Sequence, residues 1–244
     1  MRHMLLKFFA ISLLVLLVGV FVLLSLRTID RFTIAKVEVY VQDGESILPK
    51  AIKDDLSSYM GTSLFEIQVS KLEKQYEKHP ALQAVNIKRR YPSTLRIELK
   101  MAEASALLIS NENEKSFLVV KNSIHELDFE DVALFKNSVP SIEVPRSYCE
   151  MMQKYGLDRM FYQVMDLAIS LQEKSTLITR IKYDNNSSNS FGKMVLELSS
   201  YNAQIWVREP VGAAQVRSAV ALVVKDQQQA LSFLSSEPKR YDLY

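Results

Sequence analysis

From Phe8 to Leu26 the chain reads FFAISLLVLLVGVFVLLSL, 19 residues without a charge. A run apolar on every side leaves no face for water. As a helix rising about 1.5 Å per residue it spans roughly 28 Å, close to the hydrocarbon thickness of a bilayer. Lys7 stands at one end, where its aliphatic stem lets the ammonium reach the interface. The run ends Val22-Leu23-Leu24-Ser25-Leu26-Arg27, with no small-x-small cleavage pattern. The expectation is an uncleaved signal anchor over residues 8–26 behind a short cytoplasmic tail, residues 1–7. Arg2 and Lys7 on one side face Arg27, Arg31 and Lys36 on the other, so charge alone does not orient it.

Residues 1–27 hold Arg2, Lys7 and Arg27 and no acid, which leaves 27 of the 30 basic residues against 28 acidic ones. A remainder that close to neutral does not suit nucleic acid, whose binding needs concentrated positive charge. The single cysteine, Cys149, excludes an internal disulfide.

Beyond the apolar run, KVEVYV alternates, with Val37, Val39 and Val41 on one face, as a half-buried strand does. Ser46 introduces ILPKAIKDDLSSYMG, in which Ile47, Leu48, Ala51, Ile52, Leu56, Tyr59 and Met60 form a helical stripe. Gly61 suits the position just past the helix end. Ser70 with Glu73 three residues on reads as a capping box opening a second helix, and Pro80 stops it. Two strands follow. Joining the face of Val85 and Ile87 to that of Leu95, Ile97 and Leu99 sets residue 89 opposite 97, 87 opposite 99 and Lys88 opposite Glu98. The loop is then Pro92-Ser93-Thr94. The order is β-α-α-β-β, a small α+β unit over residues 34–102.

Residues 103–244 read as a second, β-rich unit with packed helices. SFLVV and IHELDF flank Lys121-Asn122-Ser123 as a hairpin. RMFYQVMDLAISLQEK is amphipathic through Met160, Phe161, Val164, Leu167, Ala168 and Leu171. Three strand-like runs follow, TLITRIKY, GKMVLELSS and NAQIWV. A longer helix runs through Val216, Val220, Val223, Val224, Leu231 and Leu234, and KRYDLY closes as a short last strand.

Catalytic chemistry is not signalled. No phosphate-binding loop, dinucleotide fingerprint, nucleophile elbow or zinc-protease motif occurs, and His3, His79 and His125 lack metal-ligand spacing. Cys149 with His125 is the one nucleophile–base pairing to weigh, and an unreactive core thiol is the better reading. No catalytic residue, metal or cofactor is expected. Two surfaces remain. Lys88-Arg89-Arg90 is either a docking surface on the first unit or the solvated end of a hairpin. Arg240, Tyr241, Asp242, Leu243 and Tyr244 form a terminal strand whose unpaired edge can receive a partner's strand, unless it merely finishes the sheet. Trp206, between Ile205 and Val207, reads as core or partly covered sheet.

The run GTSLFEIQVSKLEKQYEKHPALQAVNIKRRYPSTLRIEL resembles the FtsQ/DivIB family of bacterial division proteins. A glycine and an apolar pair precede the second helix, a proline ends it, and a hairpin of the pattern A-x-V-x-R-R-x-P-x-T-L-x-I follows. Ala84, Asn86, Ile87, Arg89, Arg90, Pro92, Thr94, Leu95 and Ile97 lie in that run. VPSIEV is similar to the family's L-P-x-L step, and RYDLY to its terminal D-L-R-Y, without the arginine before the last tyrosine.

The resemblance implies a single-pass protein of the cell inner membrane with its N-terminus in the cytoplasm. A POTRA domain and a β domain would lie outside the membrane at the division site. It implies a non-enzymatic scaffold that holds small coiled-coil partners like FtsB and FtsL at residues 240–244 by strand addition, linking them to septal peptidoglycan synthesis. The alternative is a POTRA-bearing envelope-assembly or transport accessory protein, in which such units commonly stand in tandem.

Overall fold

The computed structural model describes residues 11–21, 32–42, 48–110, 115–172, 177–185, 191–229 and 238–244. Residues 11–21 form helix α1, whose leucine and valine side chains are exposed. Among the described residues no helix is long and apolar enough to cross a membrane. The tail 1–7 and the flanks of the expected span, residues 8–10 and 22–26, lie outside them. The chain divides into two compact units, Met1–Met101 and Ala102–Tyr244.

The first unit follows the order β-α-α-β-β. Strand β1 (Lys36–Gln42), helices α2 (Lys50–Ser58) and α3 (Val69–Tyr76), and strands β2 (Leu82–Arg90) and β3 (Thr94–Met101) give a three-stranded sheet ordered β1-β3-β2. β1 runs parallel to β3 and β2 antiparallel to it. The alternation of β3 decides its two faces. Leu95, Ile97 and Leu99 are buried with Ile52 and Leu56 of α2 and Leu72 and Tyr76 of α3, each such side chain stabilising the unit by about 1.5–3 kcal/mol. Arg96 and Glu98 point the other way into a lattice of surface ion pairs.

Three details depart from the sequence pattern. Helix α2 starts after Pro49 rather than at Ser46, which with Ile47 lies outside the described residues, and Ala51 and Met60 are exposed. The hairpin register is displaced by two residues: Ile87 pairs with Ile97 and Val85 with Leu99, and the loop is Tyr91-Pro92-Ser93. A slip of two keeps every side chain on its own face, so hydrophobic alternation does not detect it. Lys88 still reaches Glu98, 3.1 Å away on the diagonal.

Third, the capping box does not form. The N-cap is Gln68, without a side-chain bond, and Glu73 turns to the sheet, where its Oε1 accepts the backbone N–H of Ile87 at 2.8 Å. β2 is an edge strand, so this N–H points away from β3 and a carboxylate on α3 satisfies it. Glu73→Ala is therefore expected to cost about 1.5–3 kcal/mol, read as a lower urea midpoint for the first unit with an unchanged m-value.

The second unit is one eight-stranded mixed sheet. In chain order it comprises β4 (Ala104–Ser110), β5 (Ser116–Val120), β6 (Ser123–Leu127), β7 (Ser141–Val144), α4 (Arg146–Tyr155), α5 (Arg159–Gln172), β8 (Arg180–Asp184), β9 (Lys193–Leu198), β10 (Ala203–Val207), α6 (Ala213–Gln229) and β11 (Lys239–Leu243). The sheet order is β11-β10-β9-β8-β7-β4-β5-β6. One core unites the inward strand residues, among them Ala106, Leu108, Ile142, Leu196 and Ile205, with α4 (Tyr148, Cys149, Met152), α5 (Phe161, Val164, Ala168) and α6 (Val216, Val220, Val223). β7 is parallel to both β4 and β8. Leu231 and Leu234, expected to continue α6, lie outside the described residues.

Candidate docking edge and its neighbours

β11 is the last strand of the eight-stranded sheet and pairs, among the described residues, with β10 alone, in parallel register. Lys239 N–H donates to the carbonyl of Asn202 at 2.9 Å. In a parallel ladder alternate residues of a strand serve the same neighbour, so Tyr241 and Leu243 also bond inward to β10. The N–H and C=O groups of Arg240 and Asp242 point outward along the open edge. Tyr244 follows them, its ring 73 % exposed.

The side chains divide by face. Tyr241 and Leu243 pack partly buried against the core, and the Tyr241 hydroxyl donates to Asp226 of α6. Lys239 Nζ contacts the same carboxylate at 2.6 Å. Tyr241 is thus engaged within the unit, which leaves Tyr244 as the free aromatic of the pair. On the opposite face Arg240 lies 3.8 Å over the ring of Trp206 and its Nη2 meets Asp242 Oδ1 at 2.5 Å. Lys193 and Arg208 also approach that ring, at 4.9 and 5.4 Å. Trp206 itself is half-buried on this outer face, and its Nε1 donates to Gln204 Oε1 at 3.1 Å. The spacing of basic residues around Trp206 is not visible in the sequence, because they are drawn from β9, β11 and the residue after β10.

Asp226 is held below its ordinary pKa by its hydrogen bonds with Lys239 and Tyr241. A depressed carboxyl adds stability that is present above its unfolded value, about 3.9 for aspartate, and is lost as pH falls through the lower folded value. Near neutral pH the clamp is fully present. Asp226→Asn is therefore expected to loosen β11 at neutral pH, seen as faster amide exchange at Tyr241 and Leu243 with β9 and β10 unchanged.

The residues of the basic triplet Lys88-Arg89-Arg90 serve different ends. Lys88 is exposed and ion-paired to Glu98. Arg89 is exposed along its stem, yet its Nη2 donates to the Ile67 carbonyl at 2.5 Å, joining the hairpin to the loop before α3. Arg90 is exposed beside Tyr91. They share a hairpin end, and Arg89 also lines a groove with Gln68, Val69, Lys71 and Lys74.

The structure does not bring Cys149 and His125 together. Cys149 is buried with Ile124 in the helix-side core, its thiol pushed up to about 12 by burial, whereas His125 alternates to the other face and is exposed. A thiol so far above neutral pH is not a nucleophile. Cys149→Ala is expected to cost about 1 kcal/mol in packing and to leave partner capture unchanged in a pull-down. No group of three or more potential metal ligands occurs among the described residues.

Residues 32–100, which coincide with the β-α-α-β-β unit, match the family model for the POTRA domain of FtsQ type. No curated protein matches the chain. POTRA domains of this type are protein-interaction domains and carry no catalytic machinery. The chain thus contains a POTRA domain of FtsQ type over residues 32–100, followed by a unit built on a mixed eight-stranded sheet.

Proposed function

We propose that the protein is a non-enzymatic scaffold of the bacterial division complex, anchored by residues 8–26 in the cytoplasmic membrane with the POTRA domain and the β-rich unit outside the cytoplasm. The FtsQ-type POTRA match over residues 32–100 carries this reading, and the apolar run supports the anchor. The open edge of β11 supports the mode of work. A partner's extended segment adds as a ninth strand, exchanging backbone hydrogen bonds with Arg240 and Asp242, while Tyr244 and the Arg240–Trp206 face read its side chains. Small coiled-coil division proteins like FtsB and FtsL are the partners proposed, with septal peptidoglycan synthesis downstream.

Depletion of the protein in its own cells tests the role. Filaments lacking septa, together with a fluorescent fusion collecting at mid-cell, are the expected outcome. Normal division with loss of outer-membrane assembly or secretion would place the protein instead among POTRA-bearing accessory proteins.

A further inference from the structure

At one end of the POTRA unit three aromatic rings gather. Phe32 lies 5.3 Å from Phe65 and 6.2 Å from Tyr91, and Phe65 lies 5.7 Å from Tyr91. They come from three separate places in the chain: the segment before β1, the loop before α3, and the β2–β3 turn. Backbone bonds fix all three. Leu64 N–H donates to the Phe32 carbonyl and Ile34 N–H to that of Thr62, while Ala35 and Lys36 both donate to Ser93, each at 2.9–3.2 Å. The cluster is therefore rigid, and it is not core. Tyr91 is 58 % exposed, Phe32 and Phe65 are half-buried, and Pro92, Arg89 and Arg90 stand exposed beside them. The ring packing adds to the stability of the domain, and three rings gathered at a partly wet surface also make an apolar patch of the kind that marks an interaction site.

Chain length indicates what does. The apolar run ends at Leu26, and the cluster begins at Phe32. Six peptide steps reach at most about 20 Å extended and about 9 Å as a helix. The polar headgroup layer on each side of a bilayer is about 5–8 Å thick. Rings flanked by arginines are the residues that settle at that depth, the rings among the headgroups and the guanidiniums on lipid phosphates.

We infer that the Phe32–Phe65–Tyr91 tip, with Arg89 and Arg90, docks on the outer surface of the membrane that holds the anchor, and so fixes the tilt of the POTRA unit. This rests on the anchor reading of residues 8–26. Docking would bring the β2–β3 turn down to the bilayer, and would leave the far end of the sheet, where β1 ends at Gln42 and β2 begins at Leu82, in water.

The test uses the full chain reconstituted in vesicles of zwitterionic and anionic phospholipid, with Trp206→Phe removing the one native tryptophan. A single reporter is then placed as Tyr91→Trp, which keeps the ring, as Gln83→Trp at the exposed far end of β2, or as Val15→Trp in the apolar run. Emission of Tyr91→Trp and Gln83→Trp is read against lipids brominated near the headgroup, and that of Val15→Trp, which lies close to the middle of the apolar run, against lipids brominated near the ends of the acyl chains. The expected result is blue-shifted, strongly quenched emission for Tyr91→Trp and Val15→Trp, with Gln83→Trp unquenched. Quenching at Val15→Trp without quenching at Tyr91→Trp would overturn the docking while leaving the anchor, and would mark the tip as a protein-binding surface. An unquenched Val15→Trp would overturn the anchor and the docking together. Quenching at Tyr91→Trp and Gln83→Trp alike would also overturn it, since no defined end would then face the lipid.

Discussion

Replacing Asp158 by alanine is expected to lower the stability of the second unit by about 3 kcal/mol, because one carboxylate holds two buried partners. Asp158 directly precedes α5, and its Oδ1 accepts the backbone N–H of Phe161 at 2.8 Å, the bond an N-cap makes. Its Oδ2 accepts the hydroxyl of Tyr148, a side chain only 2 % exposed and set against the rings of Phe161 and Tyr183. Loss of the cap costs about 1 kcal/mol, and an orphaned buried hydroxyl about 1–3 kcal/mol more. For a unit of this size that is a drop of roughly 6–12 °C in Tm. Tyr148→Phe in the same background should return part of the loss, because it removes the orphaned hydroxyl. A drop smaller than about 1 kcal/mol would show that neither partner depends on Asp158, and a larger drop without recovery in the double variant would show that the Tyr148 hydroxyl does not.

The second large effect concerns binding. Asp242→Pro is expected to weaken partner capture by roughly 30-fold or more, equivalent to about 2 kcal/mol or more, while the fold of the second unit is kept. The N–H of Asp242 points along the open edge, so proline there removes a donor offered to an incoming strand and breaks no bond with β10. Edge strands accept proline at such positions, and Tyr241 before it is already extended, as a pre-proline residue prefers. The Arg240–Asp242 ion pair that is also lost is solvent-exposed and contributes little. Tyr241→Pro provides the contrast: it breaks a β10–β11 bond and detaches the ring from Asp226, so stability and capture fall together. Equal capture by the Asp242→Pro chain and the unaltered one would mean that partners do not add at this edge.

The POTRA unit is largely legible because its sheet buries one face, so Val85, Ile87, Leu95, Ile97 and Leu99 alternate with polar and charged residues. The register was not legible, since a two-residue slip preserves that pattern. Glu73 misled for a related reason. The same spacing that makes a capping box also places its carboxylate opposite the free N–H of Ile87, and only the tertiary arrangement decides which donor it meets.

In the second unit, central strand β4 is covered on both faces. Leu107 and Leu108, which point to opposite sides, are both fully buried, and a run without alternation does not announce a strand. Helix α4 passed unnoticed because only Tyr148, Cys149 and Met152 of its ten residues are buried, amid charged and polar neighbours. The terminal strand was visible from KRYDLY. What sequence could not supply was its direction beside β10, which decides that Arg240 and Asp242, rather than Tyr241 and Leu243, hold the free backbone groups.

The role proposed for this chain is to hold division proteins by the open edge of β11. Mild-detergent co-purification of the tagged full-length protein from its own cells, beside a version truncated after Pro238, tests it most directly, with captured proteins identified by mass spectrometry. Small membrane-anchored coiled-coil division proteins are expected to accompany the full-length chain and to be lost on truncation. Recovery of outer-membrane barrel or secretion components in their place, or undiminished recovery of the division proteins after truncation, would contradict it.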